Sequence, residues 1–304
     1  MNMNSFKEIG GYFGLETAVD KFKIDNKIIA LNTARNCLRY IIRAFEIHEI
    51  NMPYYTCPVV WQAAQKEKCK INFYHIDKNF MPVKEFKEND FVLYNNYFGV
   101  CARNVKILEK KYKNLIVDNA QAFYMPKCGI ASFNSLRKFF GVADGAFLIS
   151  DKILNENFET DTSYQRFSHL LKRTDINANF GYNDFCINEE SLNDEPVKFI
   201  SELTKTIISS IDIEAAKYIR LENFNILSKS LNHKNELNLN LDNDDVPMVY
   251  PFLVHDKELK QYLIKNKIYT ATYWNPLPKD YQEGIFQKYI IPLPVDQRYT
   301  KDDM

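Results

Sequence analysis

Leu115-Ile116-Val117-Asp118-Asn119-Ala120-Gln121 is an apolar run that ends on a carboxylate. Twenty residues after Asp118 comes Lys138, the last residue of Ser135-Leu136-Arg137-Lys138, and Asp144-Gly145 follows six and seven residues later. The apolar run reads as a buried strand with Asp118 at its exit. The second segment reads as a turn that carries a serine and a lysine and returns the chain into a further strand over 145–150.

The same alternation extends outward. Short apolar runs over 28–31, 47–52, 70–76, 90–94 and 114–118 read as strands. Helical periodicity covers 34–45, 58–68 and 104–112. Strands separated by helices predict an α/β fold, a mainly parallel sheet with helices on both faces. In such sheets ligands sit beyond the carboxyl ends of the strands. Three polar clusters fall there: Thr33 with Ala34, Asn95-Asn96-Tyr97, and Asp118. The stretch 151–195 carries no clear pattern. Residues 196–231 read as mostly helical, with Pro196 at a first helical position. Residues 235–245 form an Asn/Asp-rich loop. Strands are expected over 247–254, 268–272 and 289–293, with a helix over 256–265. This predicts a large domain over 1–200 and a small C-terminal α+β domain over 201–304. Thr300-Lys301-Asp302-Asp303 has the pattern of a helix start with a capping threonine. The chain stops at Met304, so a final helix is expected to be missing.

An acid at a strand exit and a lysine in a nearby turn are what pyridoxal 5'-phosphate (PLP) chemistry requires. The acid keeps the pyridine nitrogen protonated, and the lysine holds the cofactor through its amine. Ser135 stands where its hydroxyl reaches a cofactor phosphate. Asn32-Thr33-Ala34-Arg35-Asn36 lies between a short strand and an amphipathic helix, and a helix N-terminus offers unpaired N–H groups to an anion.

These residues resemble the DegT/DnrJ/EryC1/StrS aminotransferases, the sugar aminotransferases of PLP fold type I. Family members show Ser-Phe-His-Pro-x-Lys and then Gly-Glu-Gly-Gly. Here the segment is Ser132-Phe133-Asn134-Ser135-Leu136-Arg137-Lys138, then Asp144-Gly145-Ala146. With the acid at plus six the lysine is Lys138. A spacing one residue longer, found in some relatives, puts Arg137 there instead, and arginine lacks the required amine. The resemblance implies a three-layer αβα large domain with a small C-terminal domain. It implies catalytic roles for Lys138 and Asp118, with Gln121 approaching the ring hydroxyl through the family's Asp-x-Ala-Gln/His pattern. It places Thr33, Ala34, Arg35 and Ser135 near the phosphate and Tyr55 or Tyr54 near the ring, with Cys57 at the family's aromatic position. Asn95 and Tyr97 fall in a turn that lines the pocket. Asn183, in Gly181-Tyr182-Asn183, corresponds to an asparagine that crosses to the partner's phosphate. Tyr250-Pro251, Tyr273-Trp274 and the run from Pro292 to Tyr299 extend the resemblance over nearly the whole chain.

The implied function is transfer of an amino group, with L-glutamate as donor, to a nucleotide-linked keto sugar by a cytoplasmic homodimer. Alternatives are a PLP enzyme acting on a non-sugar carbonyl, a sugar dehydratase, and a PLP-fold scaffold that has lost catalysis. Lys138 argues against the dehydratase, whose relatives carry histidine there. The 304-residue chain is 46% hydrophobic, enough for a large core, and its 39 basic side chains equal its 39 acidic ones. That balance gives no reason to expect nucleic acid or an anionic membrane as partner. Six irregularly spaced cysteines read as free thiols in a reducing compartment. Gly10-Gly11-Tyr12-Phe13-Gly14 lacks a preceding strand and reads as a turn, and residues 1–13 lack the basic start and apolar block of a secretion signal.

Overall fold

A computed structural model of the protein describes residues 15–18, 21–274, 277–278 and 280–304. The glycine-rich stretch 10–14 lies outside the described residues. The first half of the chain runs β1 (Ile29–Leu31), α1 (Ala34–Ala44), β2 (Glu49–Pro53), α2 (Pro58–Lys66), β3 (Lys70–Tyr74), β4 (Phe91–Asn95), α3 (Ala102–Lys111), β5 (Asn114–Asn119), β6 (Ala131–Asn134) and β7 (Ala146–Ser150). These seven strands form one sheet in the order β1-β7-β6-β5-β4-β2-β3. Strand β7 is antiparallel to both of its neighbours, and every other pair is parallel. Six strands therefore point their carboxyl ends to one edge.

Strand period decides which helix each side chain meets. Leu93 and Ile116 pack under Leu38 and Ile41 of α1. Val92, Leu115 and Val117, one residue out of phase, pack against Val105 and Leu108 of α3. The sheet is covered on both faces, as the strand-helix alternation predicts. The Thr33 hydroxyl accepts the Asn36 N–H at 3.2 Å and caps α1.

Beyond β7 come α4 (Ser168–Asp175), α5 (Ala178–Ser191), α6 (Glu202–Ser209) and α7 (Ile213–Leu231). The last elements are β8 (Val249–Leu253), α8 (Leu259–Lys265), α9 (Gly284–Tyr289) and β9 (Ile290–Pro294). Strands β8 and β9 pair antiparallel as a separate two-stranded sheet. Tyr250 and Phe252 of β8 pack against Phe224 of α7.

Two expectations change. Pro196 does not open a helix: its carbonyl accepts side-chain N–H bonds from Asn32 and Asn36, at 3.2 and 2.8 Å. The chain stays extended to Ile200, whose N–H donates to Ala30, and Ser201 caps α6. Residues 268–272 form no strand. The Ala271 carbonyl accepts from the Lys260 ammonium at 2.8 Å rather than from a ladder, and Ile268 and Tyr269 are exposed. The unparsed stretch 151–195 holds the α4–α5 hairpin. At the C-terminus Thr300 and Asp303 form the expected capping box around a single 3₁₀ turn. No described helix is long and apolar enough to cross a membrane.

Candidate active site at the carboxyl edge of the sheet

Asn95 of β4, Asp118 of β5 and Phe133 of β6 are register partners across three parallel strands. Asp118 follows Ile116 by two residues and so faces the α1 side. It is 7% exposed. One carboxylate oxygen accepts the Ala120 N–H at 2.8 Å. Burial raises its pKa above the ordinary carboxylate value, and the positive charge of Lys138 pulls it back down. The two groups singled out twenty residues apart are thus within electrostatic reach of each other.

Arg137 and Lys138 diverge. Both lie in the 3₁₀ turn Leu136–Lys138 after β6. Arg137 turns inward and pairs with Glu189. Lys138 turns outward, is exposed, and makes no hydrogen bond or ion pair among the described residues. A cleft of about 680 Å³ opens beside it, walled by Lys138, Phe139, Arg220, Tyr273 and Gln297 among others. Arg137 and Lys138 both line that cleft, and Lys138 is also within electrostatic reach of Asp118.

The turn itself is held from behind. Asp144, fully buried, accepts the Ser201 N–H at 3.0 Å and the Ser201 hydroxyl at 2.9 Å, and it also takes the Thr204 hydroxyl. An acid at the start of α6 is stabilised by the helix's free N–H groups and its dipole. Gly145 follows at φ +109°, and an added Cβ would stand 2.7 Å from Leu136 and 2.8 Å from Ile200. Only glycine fits there.

Gln121 is 4% exposed, and its side-chain oxygen accepts the Phe98 N–H at 2.8 Å. That bond fixes the amide, and its Nε2 is left buried without an acceptor. Asn95 behaves likewise: Nδ2 donates to the Thr56 hydroxyl at 2.6 Å and Oδ1 is unpaired. Ser135 is 7% exposed and its hydroxyl has no partner among the described residues. Ala34 and Arg35 are the first two residues of α1, where N–H groups have no intrahelical acceptor.

The aromatic positions divide. Tyr54 stacks on Phe73 and leans on His75, toward β3. Tyr55 is fully buried; its hydroxyl donates to the Tyr273 carbonyl at 3.0 Å and its ring meets Trp274 edge-on. Cys57, partly exposed, is the residue before α2 and lies within Coulomb reach of both Arg35 and Tyr273. Tyr97 is buried, its hydroxyl donating to the Tyr55 carbonyl at 2.9 Å. It braces Tyr55 from inside. Asn183 is exposed midway along α5, far in sequence from the strand-end cluster.

With this geometry in hand, solved structures give a consistent answer. A DegT DnrJ EryC1 StrS aminotransferase from Brucella abortus superposes with a TM-score of 0.61 at 13% identity, covering 91% of this chain and 82% of its own. The sugar aminotransferase CalS13 from Micromonospora echinospora gives 0.63 at 13%, covering 91% and 84%. NtdA from Bacillus subtilis, with bound cofactor PMP, gives 0.62 at 13%, covering 91% and 70%. The chain has the fold of these aminotransferases. At the sequence level no protein-family model and no curated protein matches it. The likeness of fold agrees with the resemblance carried by the motifs.

Sequence reasoning missed Tyr273 as a roof over Tyr55, although Tyr273-Trp274 stood out. It treated Arg137 only as a rival to Lys138. It gave no role to Arg166, which pairs with Asp161.

Proposed function

We propose that the protein is a PLP-dependent aminotransferase acting on a nucleotide-linked keto sugar, with L-glutamate as donor, working as a cytoplasmic homodimer. The observation that carries this reading is the pair Asp118 and Lys138 at adjacent strand exits, beside a buried amide nitrogen with no acceptor. An orphaned buried donor costs about 1–3 kcal/mol, so its retention argues for a ligand that satisfies it. Gln121 Nε2 suits the ring oxygen of PLP. A desolvated carboxylate suits a protonated ring nitrogen. The donor set therefore fits the cofactor.

When bound, PLP supplies an electron sink that lets an α-carbon lose its proton and an amino group change carrier. Asp118 holds the proton on the ring nitrogen. Lys138 would hold the cofactor through its amine and would supply the base that takes up and returns the proton of the donor's α-carbon. Its exposure to the cleft supports that shuttle. Tyr55, pinned by Tyr97 beneath and Tyr273 above, keeps the adjoining wall rigid and dry. The cleft beside Lys138 has the size for a substrate larger than an amino acid. A division into a large unit over 1–200 and a small unit over 201–304 belongs to the same reading.

The test is spectroscopic. Added PLP should give a visible absorption band, and Lys138→Ala should lose it. The pyridoxamine form should then regain the band with a nucleotide keto sugar from a panel. A protein that stays colourless with PLP would sink the enzyme reading in favour of a scaffold.

A further inference from the structure

We propose that Arg220 and Gln297 are positioning residues for Lys138: they anchor the carbonyl of Phe139, the next residue, and so hold the turn from which the lysine amine reaches the cleft. This rests on the PLP reading above.

The Lys138 side chain is exposed and has no partner among the described residues. Its place is therefore set by the backbone that carries it. That backbone is fixed on both sides of the lysine. On the near side the Leu136 N–H donates to the Gly145 carbonyl at 3.1 Å. On the far side the Phe139 carbonyl accepts twice, from Gln297 Nε2 at 2.7 Å and from Arg220 Nη2 at 3.3 Å. Within the turn the Phe139 and Phe140 N–H groups both donate to the Leu136 carbonyl, at 3.0 and 2.8 Å. A shift at either anchor is passed to the residue between them.

The far anchor gathers distant segments. Arg220 lies on α7 and is 1% exposed. Its Nη1 donates to the Met248 carbonyl at 3.1 Å and to the Pro247 carbonyl at 3.4 Å, just before β8 takes up its pairing. Its guanidinium also lies over the Phe139 ring, 4.5 Å from the centroid. Gln297 follows the end of β9, the partner of β8, by three residues. The two donors are thus joined behind Phe139 through the β8–β9 pair. Phe139, Arg220 and Gln297 all wall the cleft beside Lys138.

No carboxylate hydrogen-bonds Arg220 among the described residues. Asp296, whose charge reaches it, turns its oxygens to Arg298 Nε and Nη2 at 2.6 and 2.8 Å. A buried cation held by carbonyls alone is costly, and an apolar side chain of similar volume would fill the space at less cost. The bonds that the guanidinium makes show what it is kept for: it ties Phe139 to the start of β8. Its planar fork can reach both carbonyl groups at once, which an ammonium cannot.

The experiment uses the full chain as wild type, as Gln297→Met, which keeps the side-chain length and removes the donor, as Arg220→Lys, which keeps the charge and loses the fork, and as the double variant. Without cofactor, amide hydrogen exchange compares the turn, through its bonded Phe139, Phe140 and Val142 N–H groups, with β5 as internal control. With PLP, the rate at which the visible band appears is followed against PLP concentration. Each single variant should exchange about 2- to 10-fold faster in the turn, the loss of one hydrogen bond, with β5 unchanged. The limiting rate at saturating PLP should fall by a similar factor, while the PLP concentration for half that rate stays the same. The double variant should lose less than the two single losses combined, because both donors serve one carbonyl. Turn exchange at the wild-type rate in both single variants, or a rise shared equally by β5, would overturn the anchor. If Arg220→Lys does not fold, Gln297→Met decides alone, since Gln297 is only partly buried. If wild type gave no band with PLP while the variants loosened the turn, the PLP reading would fall and the anchoring of Lys138 would stand. A wild-type band whose limiting rate the variants left unchanged would keep the PLP reading and overturn the positioning role.

Discussion

The strand-end row and the α4–α5 hairpin follow opposite rules. Asn95, Asp118 and Phe133 are buried in a row set by strand register, and each backbone neighbour is paired. The hairpin exposes Leu171, Ile176, Phe180, Tyr182, Phe185 and Ile187, all above 40%. Six large apolar side chains exposed on one hairpin mark an interaction face. Asn183 stands on it, flanked by Tyr182 and Phe185. On the proposed reading the ring-binding half of the site lies within one chain, and the hairpin that carries Asn183 faces outward. A second copy across the hairpin fits the proposed homodimer, and it would bring Asn183 to a neighbour's site.

The sharpest way to break this comparison is at Lys138. A positioned acid–base group contributes roughly 10²–10⁴ in rate, so Lys138→Ala should lose at least that much turnover while keeping its fold by circular dichroism. Wild-type turnover in the variant would place the chemistry elsewhere. Next is Asp118→Asn. Burial holds the Asp118 carboxyl above its ordinary value, so it is protonated at acid pH and ionises as pH rises. PLP affinity should therefore climb with pH through that titration and then level off. In Asp118→Asn the affinity should be lower by about tenfold, the loss of one charged partner, and flat across the same range. Equilibrium absorbance titrations at several pH values decide it.

The two regions also differ in how far they could be read in advance. Asp118 and Gln121 were legible because β5 is an unbroken apolar strand whose period and exit are plain. Thr33 was legible as the residue at the start of α1, though not as its cap. The choice between Arg137 and Lys138 turns on which way a 3₁₀ turn points each side chain, and spacing does not carry direction. Strand β6 has four residues and too few alternations to stand out. The α4–α5 hairpin was opaque for a physical reason. Helix α5 is apolar around most of its circumference and buries only Gly181 and Asn188, so no 3.6-residue stripe exists to be seen. A strand was expected over 268–272 on composition alone, and the segment lost out because the β8–β9 pair takes no third partner.

The hairpin half is tested by charge. Phe180→Glu with Tyr182→Glu places two carboxylates on the exposed face, away from the α5 residues that are buried. Self-association measured by sedimentation should weaken by about tenfold or more, the effect of desolvating unpaired charge at an interface. Unchanged association would move the dimer contact off the hairpin.

The smallest expected effect separates burial from function. Asp245 is also a buried carboxylate, accepting the Ala102 N–H at the start of α3 and the Asp242 N–H, both at 2.8 Å. Burial pushes its pKa up to about 6. A carboxyl whose folded value exceeds its unfolded value keeps its proton where the unfolded chain has lost it. Its stabilising contribution is therefore present at low pH and declines as pH rises from about 4 toward 6. Asp245→Asn should remove that decline, a difference of about 1–2 kcal/mol in the pH dependence of urea unfolding. It should leave PLP affinity untouched, because Asp245 lies at the α3 cap and not at the strand-end row. A change in PLP affinity would mean that desolvation alone, without the register that aligns Asp118 with Asn95, is enough to couple a carboxylate to the site.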